Sequence, residues 1–326
     1  MNFWEGKNVF VTGATGFVGS WIAKNLVESK ANVFVLTKDP LSKTMPKTLP
    51  LEAPNLKIIS GNLKDYNLLV KMFIENSIDT VFHLAAQAIV GTANQSPLET
   101  FETNIMGTWN ILEASRVTGV KRVIVASSDK AYGDHDKLPY TEDFPLLGSN
   151  PYDASKACAD ILARTYFKIY GLPVVVTRCS NIYGGGDMNF SRIVPDTVRS
   201  IIENKNPVIR TDGSPIRDYI YISDVVRAYL TLGENVEKVK GEAFNFGTEI
   251  PISVLDLVKK IIEISGKVHL VPDIQGKGNP KGEISKQYLS SEKSKKLLGW
   301  KPSVKLDEGI KETIKWYENY YKSIKS

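Results

Sequence analysis

A chain of 326 residues with 42% hydrophobic and 24% charged residues has the make-up of a soluble globular protein, long enough for one large α/β unit or two domains. Its net charge of +5, with Lys and Glu interspersed along most of the chain, argues against a nucleic-acid partner and suits a diphosphate-bearing substrate. No apolar run approaches the ~20 residues of a membrane span, Met1 leads directly into a strand, and Cys158 and Cys179 sit in apolar-patterned segments; we therefore expect a cytoplasmic protein with reduced thiols, no signal peptide and no membrane contact.

In chain order, strands and helices alternate. A strand at Asn8–Val11 feeds a glycine-rich turn and helix; strands follow at Asn32–Leu36 and Leu56–Ser60, then a helix at Asn67–Asn76 and a strand at Thr80–Leu84. Leu98–Thr118 reads as one long amphipathic helix, Val123–Ala126 as a fifth strand, Tyr152–Tyr170 as a helix and Val174–Arg178 as a β-branched sixth strand. Strands at this spacing, separated by helices, mean βαβ units and a doubly wound parallel sheet. Beyond Asn181 the rhythm changes. NIYGGGDMN reads as loop, Arg192–Glu203, Ser223–Leu232 and Val254–Ser265 as helices (Ser253 capping the last), and Val208–Thr211, Asp218–Tyr221 and Ala243–Phe246 as short strands. Two tail helices, Ser291–Leu298 and Asp307–Tyr320, complete the chain. We expect a dinucleotide-binding domain from residues 1–178 and 218–249, and a smaller substrate domain from 179–217 and 250–326.

Two patterns carry chemistry. Gly13-x-x-Gly16-x-x-Gly19 lies directly after a strand and opens a helix, where small residues let the backbone approach a pyrophosphate held at the helix N-terminus. Tyr152 and Lys156, four apart, share one helix face, so the ammonium is expected to favour the phenolate and make Tyr152 a usable general base. Asp129 and Lys130, after the fifth strand, supply an adjacent acid and base. His83 reads as a core histidine with a satisfied ring.

The GxxGxxG spacing, HLAA at His83–Ala86, Asn104 and the Tyr152/Lys156 pair together resemble the extended short-chain dehydrogenase/reductase family over nearly the whole chain. That resemblance implies a Rossmann fold, an NDP-hexose substrate and a homodimer formed through Leu98–Thr118 and Tyr152–Tyr170. It puts the dinucleotide against Gly13, Thr15, Gly16, Phe17, Val18 and Gly19, against Leu84, Ala85 and Ala86, and against Asn62 and Leu63. Tyr152 would take the proton from the sugar O4, Lys156 would hold the phenolate and the nicotinamide ribose, and Ser128 would hydrogen-bond the same oxygen. Asn104 would organise a buried polar network. Gln87, Ser128, Asn181, Arg192 and Arg217 would meet the substrate, the arginine at 217 and the asparagine at 181 at its diphosphate. At the second strand end, Thr37, Lys38 and Asp39 leave two cofactors open: NAD if Asp39 takes the ribose hydroxyls, NADP if Thr37 and Lys38 cradle a 2′-phosphate.

The segment after Ser128 separates subgroups. A 4-epimerase needs no further acid or base, whereas a 4,6-dehydratase must also remove the C5 proton and protonate the departing C6 hydroxyl. SDKAYG, NPYDASKACAD and NIYGGGD resemble CDP-glucose 4,6-dehydratases, which implies Asp129 as the acid and Lys130 as the C5 base. RDYIYISDVVRAYL resembles instead the dTDP-glucose dehydratase and epimerase pattern, so the nucleotide stays open. An NDP-sugar 4-epimerase is the alternative, and a cofactor-sensing binding protein a third reading. Lys130 has a simpler role available too, turned to solvent against Asp134 or Asp136.

Overall fold

The computed structural model describes residues 2–38, 48–278 and 284–325. Hydrophobic runs, most of them buried on both faces, form a seven-stranded sheet: β1 (Asn8–Thr12), β2 (Asn32–Thr37), β3 (Leu56–Ser60), β4 (Thr80–His83), β5 (Arg122–Ala126), β6 (Val174–Cys179) and, after three strands described below, β10 (Ala243–Phe246). Their order is β3-β2-β1-β4-β5-β6-β10, parallel throughout. The chain reverses its direction of travel between β1 and β4, the switch point at which such sheets open a crevice beyond their strand ends.

Helices cover both faces. On one, α1 (Phe17–Glu28) and α8 (Ile222–Val239) close a core with Trp4, Phe82, Phe246 and Trp300; on the other, α2 (Tyr66–Glu75), α5 (Gly107–Thr118) and α6 (Pro151–Tyr170) cover Phe10, Phe73, Val123 and Val176. The expected long helix at Leu98–Thr118 is interrupted. After α3 (Val90–Gln95) and α4 (Pro97–Phe101), residues Glu102–Met106 form a π-helical turn before α5 begins, and that turn holds the buried Asn104. Amphipathic spacing gave no sign of it, because the extra residue is accommodated by a tertiary contact.

The smaller sheet joins β7 (Asn181–Tyr183), β9 (Ile216–Tyr221), β11 (Pro251–Ser253) and β13 (Lys286–Gln287), and β8 (Val208–Ile209) pairs with β12 (Asp273–Ile274). Helices α7 (Ile193–Ile202), α9 (Val254–Ile264) and α11 (Leu306–Lys325) bury a separate core around Val198, Leu257, Ile261 and Tyr317. Ser253 caps α9, its hydroxyl accepting from the Asp256 N–H. Asn181–Tyr183, read as loop from sequence, is a strand because β9 pairs with it, and α8 runs seven residues past Leu232 to Val239. The sequence boundary at 217/218 falls inside β9, while α10 (Glu292–Leu298) and Trp300 return to the large sheet beside β10 and α8.

Candidate active site

The strand ends open onto one cleft of about 1070 Å³ between the large sheet and the small one. At the end formed by the glycine-rich turn Gly13 has φ +73°, and a Cβ there would sit 2.7 Å from the Ala85 nitrogen; one on Gly19 would meet the Gly13 oxygen at 2.2 Å. Backbone thus approaches backbone where only glycine fits. Gly16 is the N-cap of α1 and brings no side-chain cap, so the first-turn N–H groups of Phe17 and Val18 stay available to an anion. Thr15, Leu84, Ala85, Ala86, Asn62 and Leu63 line the same end, as do Thr37 and Lys38. Asp39, the expected ribose ligand, lies outside the described residues.

Behind this wall a chain of hydrogen bonds sets His83. Thr12 Oγ1 accepts from the Leu84 and Ala85 N–H groups (3.1 Å each), leaving its proton for His83 Nδ1 at 2.8 Å. His83 Nε2 then donates to Thr108 Oγ1 (2.9 Å), which donates to the Asn104 carbonyl (2.6 Å). Burial, reinforced by the charge of Lys156, pushes the ring down to about 3, so His83 is a neutral core histidine. Asn104 accepts from the Gln87 N–H at 2.7 Å and donates to Ser155 Oγ at 2.8 Å, tying the π-turn to the helix that carries Tyr152.

That helix, α6, starts at the Asn150 N-cap, whose side chain accepts from the Asp153 N–H, with Pro151 at the first position. Tyr152 and Lys156 both face the cleft. Their electrostatics differ from the sequence expectation. Lys156 Nζ donates to the Ala126 carbonyl at 2.7 Å, and burial lowers its pKa to about 8. Tyr152 is pushed up to about 12 by burial; the groups that pull it back are Arg192 and Ser128. The expected lowering by Lys156 is absent, since desolvation of the phenolate outweighs the attraction available.

Beyond β5, a 3₁₀ turn (Asp129–Tyr132) presents Asp129 and Lys130. Ser128 Oγ donates to Asp129 Oδ1 (3.1 Å) and accepts from the Lys130 N–H (3.2 Å). Asp129 is 3% exposed, and its Oδ2 is buried with no hydrogen-bond partner in the protein. Lys130 also lines the cleft, and its Nζ donates to Gln287 Oε1 on β13.

The far wall comes from the smaller sheet and the helices packed on it. Asn181 Nδ2 donates to the Asp218 carbonyl (3.2 Å), Arg192 pairs with Asp187 (2.9 Å), and the buried Arg217 donates to the Ile216 carbonyl (2.9 Å); all three line the cleft, as does Gln87 across from them. One cavity therefore collects every described residue expected to touch cofactor or substrate, with His83 and Asn104 behind its wall. Sequence reasoning missed Arg210 and Tyr219, also on the cleft, and Gln287, which stands behind it. It missed as well a fully buried pair supporting the 3₁₀ turn: Arg178 donates to Asp160 at 2.7 and 2.9 Å and to the Tyr132 hydroxyl at 2.7 Å. An arginine ending a β-branched strand is the one local signal for it. Among the described residues, no cluster of His, Cys, Asp or Glu could hold a metal ion, and no helix is long and apolar enough to cross a membrane.

Comparison with known proteins agrees with this architecture. A family described as GDP-mannose 4,6 dehydratase matches residues 10–313. The chain is 32% identical to the CDP-glucose 4,6-dehydratase of Salmonella typhimurium, covering 97% of this chain and 92% of that protein. It is 33% identical to a trifunctional UDP-glucose 4,6-dehydratase/3,5-epimerase/reductase of Arabidopsis thaliana, of which it spans about half (47%). Among solved structures, it resembles dTDP-glucose 4,6-dehydratase from Bacillus anthracis in complex with NAD (TM-score 0.86, 27% identity, 97% of this chain and 98% of that one). It also resembles UDP-glucose 4-epimerase from Thermotoga maritima with UDP-glucose (TM-score 0.88, 31% identity, 96% and 99%).

Proposed function

The chain belongs to the GDP-mannose 4,6 dehydratase family, within the extended short-chain dehydrogenases/reductases, and from that premise we propose that it is a nucleotide-sugar 4,6-dehydratase. It converts an NDP-hexose to the NDP-4-keto-6-deoxyhexose, with CDP-glucose the first substrate to try because Ser128, Asp129 and Lys130 follow the pattern of that subgroup. Its cofactor is NAD, as in the dehydratase structures it resembles. The glycine cradle at Gly13 and Gly19 and the uncapped start of α1 fit a pyrophosphate, and Thr37, Lys38, Asn62 and Leu63 would border the adenosine.

The observation that carries the reading is that Asp129 and Lys130 share the cleft with Tyr152 and Lys156. When bound, the nicotinamide supplies a hydride acceptor and donor. Tyr152 takes the O4 proton, with Arg192 and Ser128 pulling its phenol back against burial; Lys156 would hold the nicotinamide ribose, and Ser128 orients the sugar O4. Lys130, as the amine, takes the C5 proton and gives it back to C5 as C6 becomes the methyl carbon, and Asp129, as the acid, protonates the C6 hydroxyl so that it leaves as water. Arg217, Arg192 and Asn181 would hold the diphosphate.

The apolar side chains exposed on α4, α5 and α6 (Leu98, Trp109, Val117, Ile161, Ile169) support a homodimer through these helices, and two free cysteines support a reducing, cytoplasmic setting. A 4-epimerase is the second reading, favoured by the likeness to the Thermotoga enzyme. Incubation with CDP-, dTDP-, UDP- and GDP-hexoses, read by product mass and by alkaline absorbance of a 4-keto-6-deoxy sugar, tests the assignment. Loss of one water supports the dehydratase; conversion at unchanged mass supports the epimerase.

A further inference from the structure

Gln287 has no exposed surface and lies on β13, opposite Arg217 of β9 in parallel register. Its amide is used at both ends. Nε2 donates to the Asp129 carbonyl at 2.9 Å, and Oε1 accepts from Lys130 Nζ. A single side chain of the smaller sheet therefore grips both the backbone of the acid and the side chain of the base. The flanking backbone reinforces the grip: the Tyr140 N–H donates to the Tyr288 carbonyl (3.0 Å), the Ser290 N–H to the Tyr140 carbonyl (2.9 Å), and the Ile216 N–H to the Ser285 carbonyl (2.9 Å). The strand that carries Gln287 is thus stitched on one side to Arg217 and on the other to the loop following the 3₁₀ turn.

We propose that Gln287 is a positioning residue, which aims Lys130 at the sugar and sets the Asp129–Lys130 turn in register with the arginine that holds the diphosphate. This rests on the dehydratase reading for its consequence and on the hydrogen bonds alone for its geometry. Lysine brings four rotatable bonds to a site where the proton to be moved has one location, and an amide fixed on a strand removes that freedom. An ångström of misplacement of an acid or base costs on the order of 10²-fold in rate. Gln287 touches neither substrate nor cofactor in this scheme; it acts through Lys130 and Asp129.

The test compares wild type with Gln287→Met, which keeps the volume and loses both hydrogen bonds, and with Gln287→Glu, which keeps an acceptor for Lys130. Acetylation of Lys130 by a lysine-directed acylating reagent, followed by peptide mass spectrometry on the protein without substrate, reads the grip independently of turnover. Lys130 is expected to label faster in the Met variant and no faster than wild type in the Glu variant, whose carboxylate holds the ammonium. Product mass and steady-state kinetics then read the consequence: kcat for water loss falls on the order of 10²-fold in the Met variant while KM for the NDP-hexose stays put. Equal labelling in all three proteins overturns the grip. Faster labelling with undiminished kcat overturns its role in catalysis, as does a fall in kcat that only tracks a loss of thermal stability. If wild type releases no water from any NDP-hexose, the dehydratase reading fails by itself, and the labelling arm still decides the geometry.

Discussion

Replacing His83 by glutamine tests whether this ring is a structural group held neutral by burial. In the fold its pKa is lowered to about 3, first by desolvation and then by the charge of Lys156, against 6.5 in an unfolded chain. For a lowered base the unfolded state takes up the proton first as the pH drops. The contribution to stability is therefore complete above about 6.5 and is lost as the pH falls toward 3. At about pH 4 the interval below 6.5 is roughly 2.5 units, worth roughly 3 kcal/mol at about 1.4 kcal/mol per unit. Glutamine does not titrate and can still bond to Thr12 and Thr108, so the variant's own profile lacks this loss. Asp218, raised to about 6 by burial, adds a change of opposite sign, but equally in both proteins. Urea unfolding of the two proteins at several pH values, without ligands, gives the difference directly. The advantage of wild type over His83→Gln shrinks by ~3 kcal/mol between about pH 7 and pH 4. Two profiles that run parallel across that range refute a buried neutral ring.

Other substitutions test the rest of the site. Tyr152→Phe removes the O4 base and is expected to cut turnover by on the order of 10²–10⁴-fold; near-wild-type steady-state rates would take Tyr152 out of that role. Asp129→Asn leaves proton removal at O4 intact but loses water release by a similar factor, so undiminished formation of the 4-keto-6-deoxy product would remove the acid assignment. Gly13→Ala forces a Cβ against the Ala85 backbone at a left-handed φ, costing about 1–3 kcal/mol in dinucleotide affinity or stability by calorimetry; a silent substitution would contradict the close approach. Trp109→Glu places a charge on the exposed apolar face of α5, and in the homodimer proposed above sedimentation shifts from dimer to monomer; an unchanged profile contradicts a dimer through this face.

The large sheet was readable because its signals are local. Strand runs such as VVVTRC and a glycine pattern at a strand–helix junction describe their own surroundings, and the side chains they position face one cleft. What escaped depends on partners distant in sequence. The π-turn at Glu102–Met106 exists around Asn104, whose bonds reach Gln87 and Ser155. Asn181–Tyr183 is a strand only because β9 lies beside it. The phenol of Tyr152 was read as lowered by its lysine neighbour, yet burial, which no spacing encodes, raises it instead. Gln287 reaches Lys130 across 157 positions of sequence and sits in no motif.

The most direct measurement is the mass of the product formed from an NDP-hexose by the purified protein with NAD. The account predicts a nucleotide sugar lighter by one water, with a 4-keto group detectable in alkali. A product of unchanged mass, epimerised at C4, would contradict it and leave Asp129 and Lys130 without the roles assigned to them.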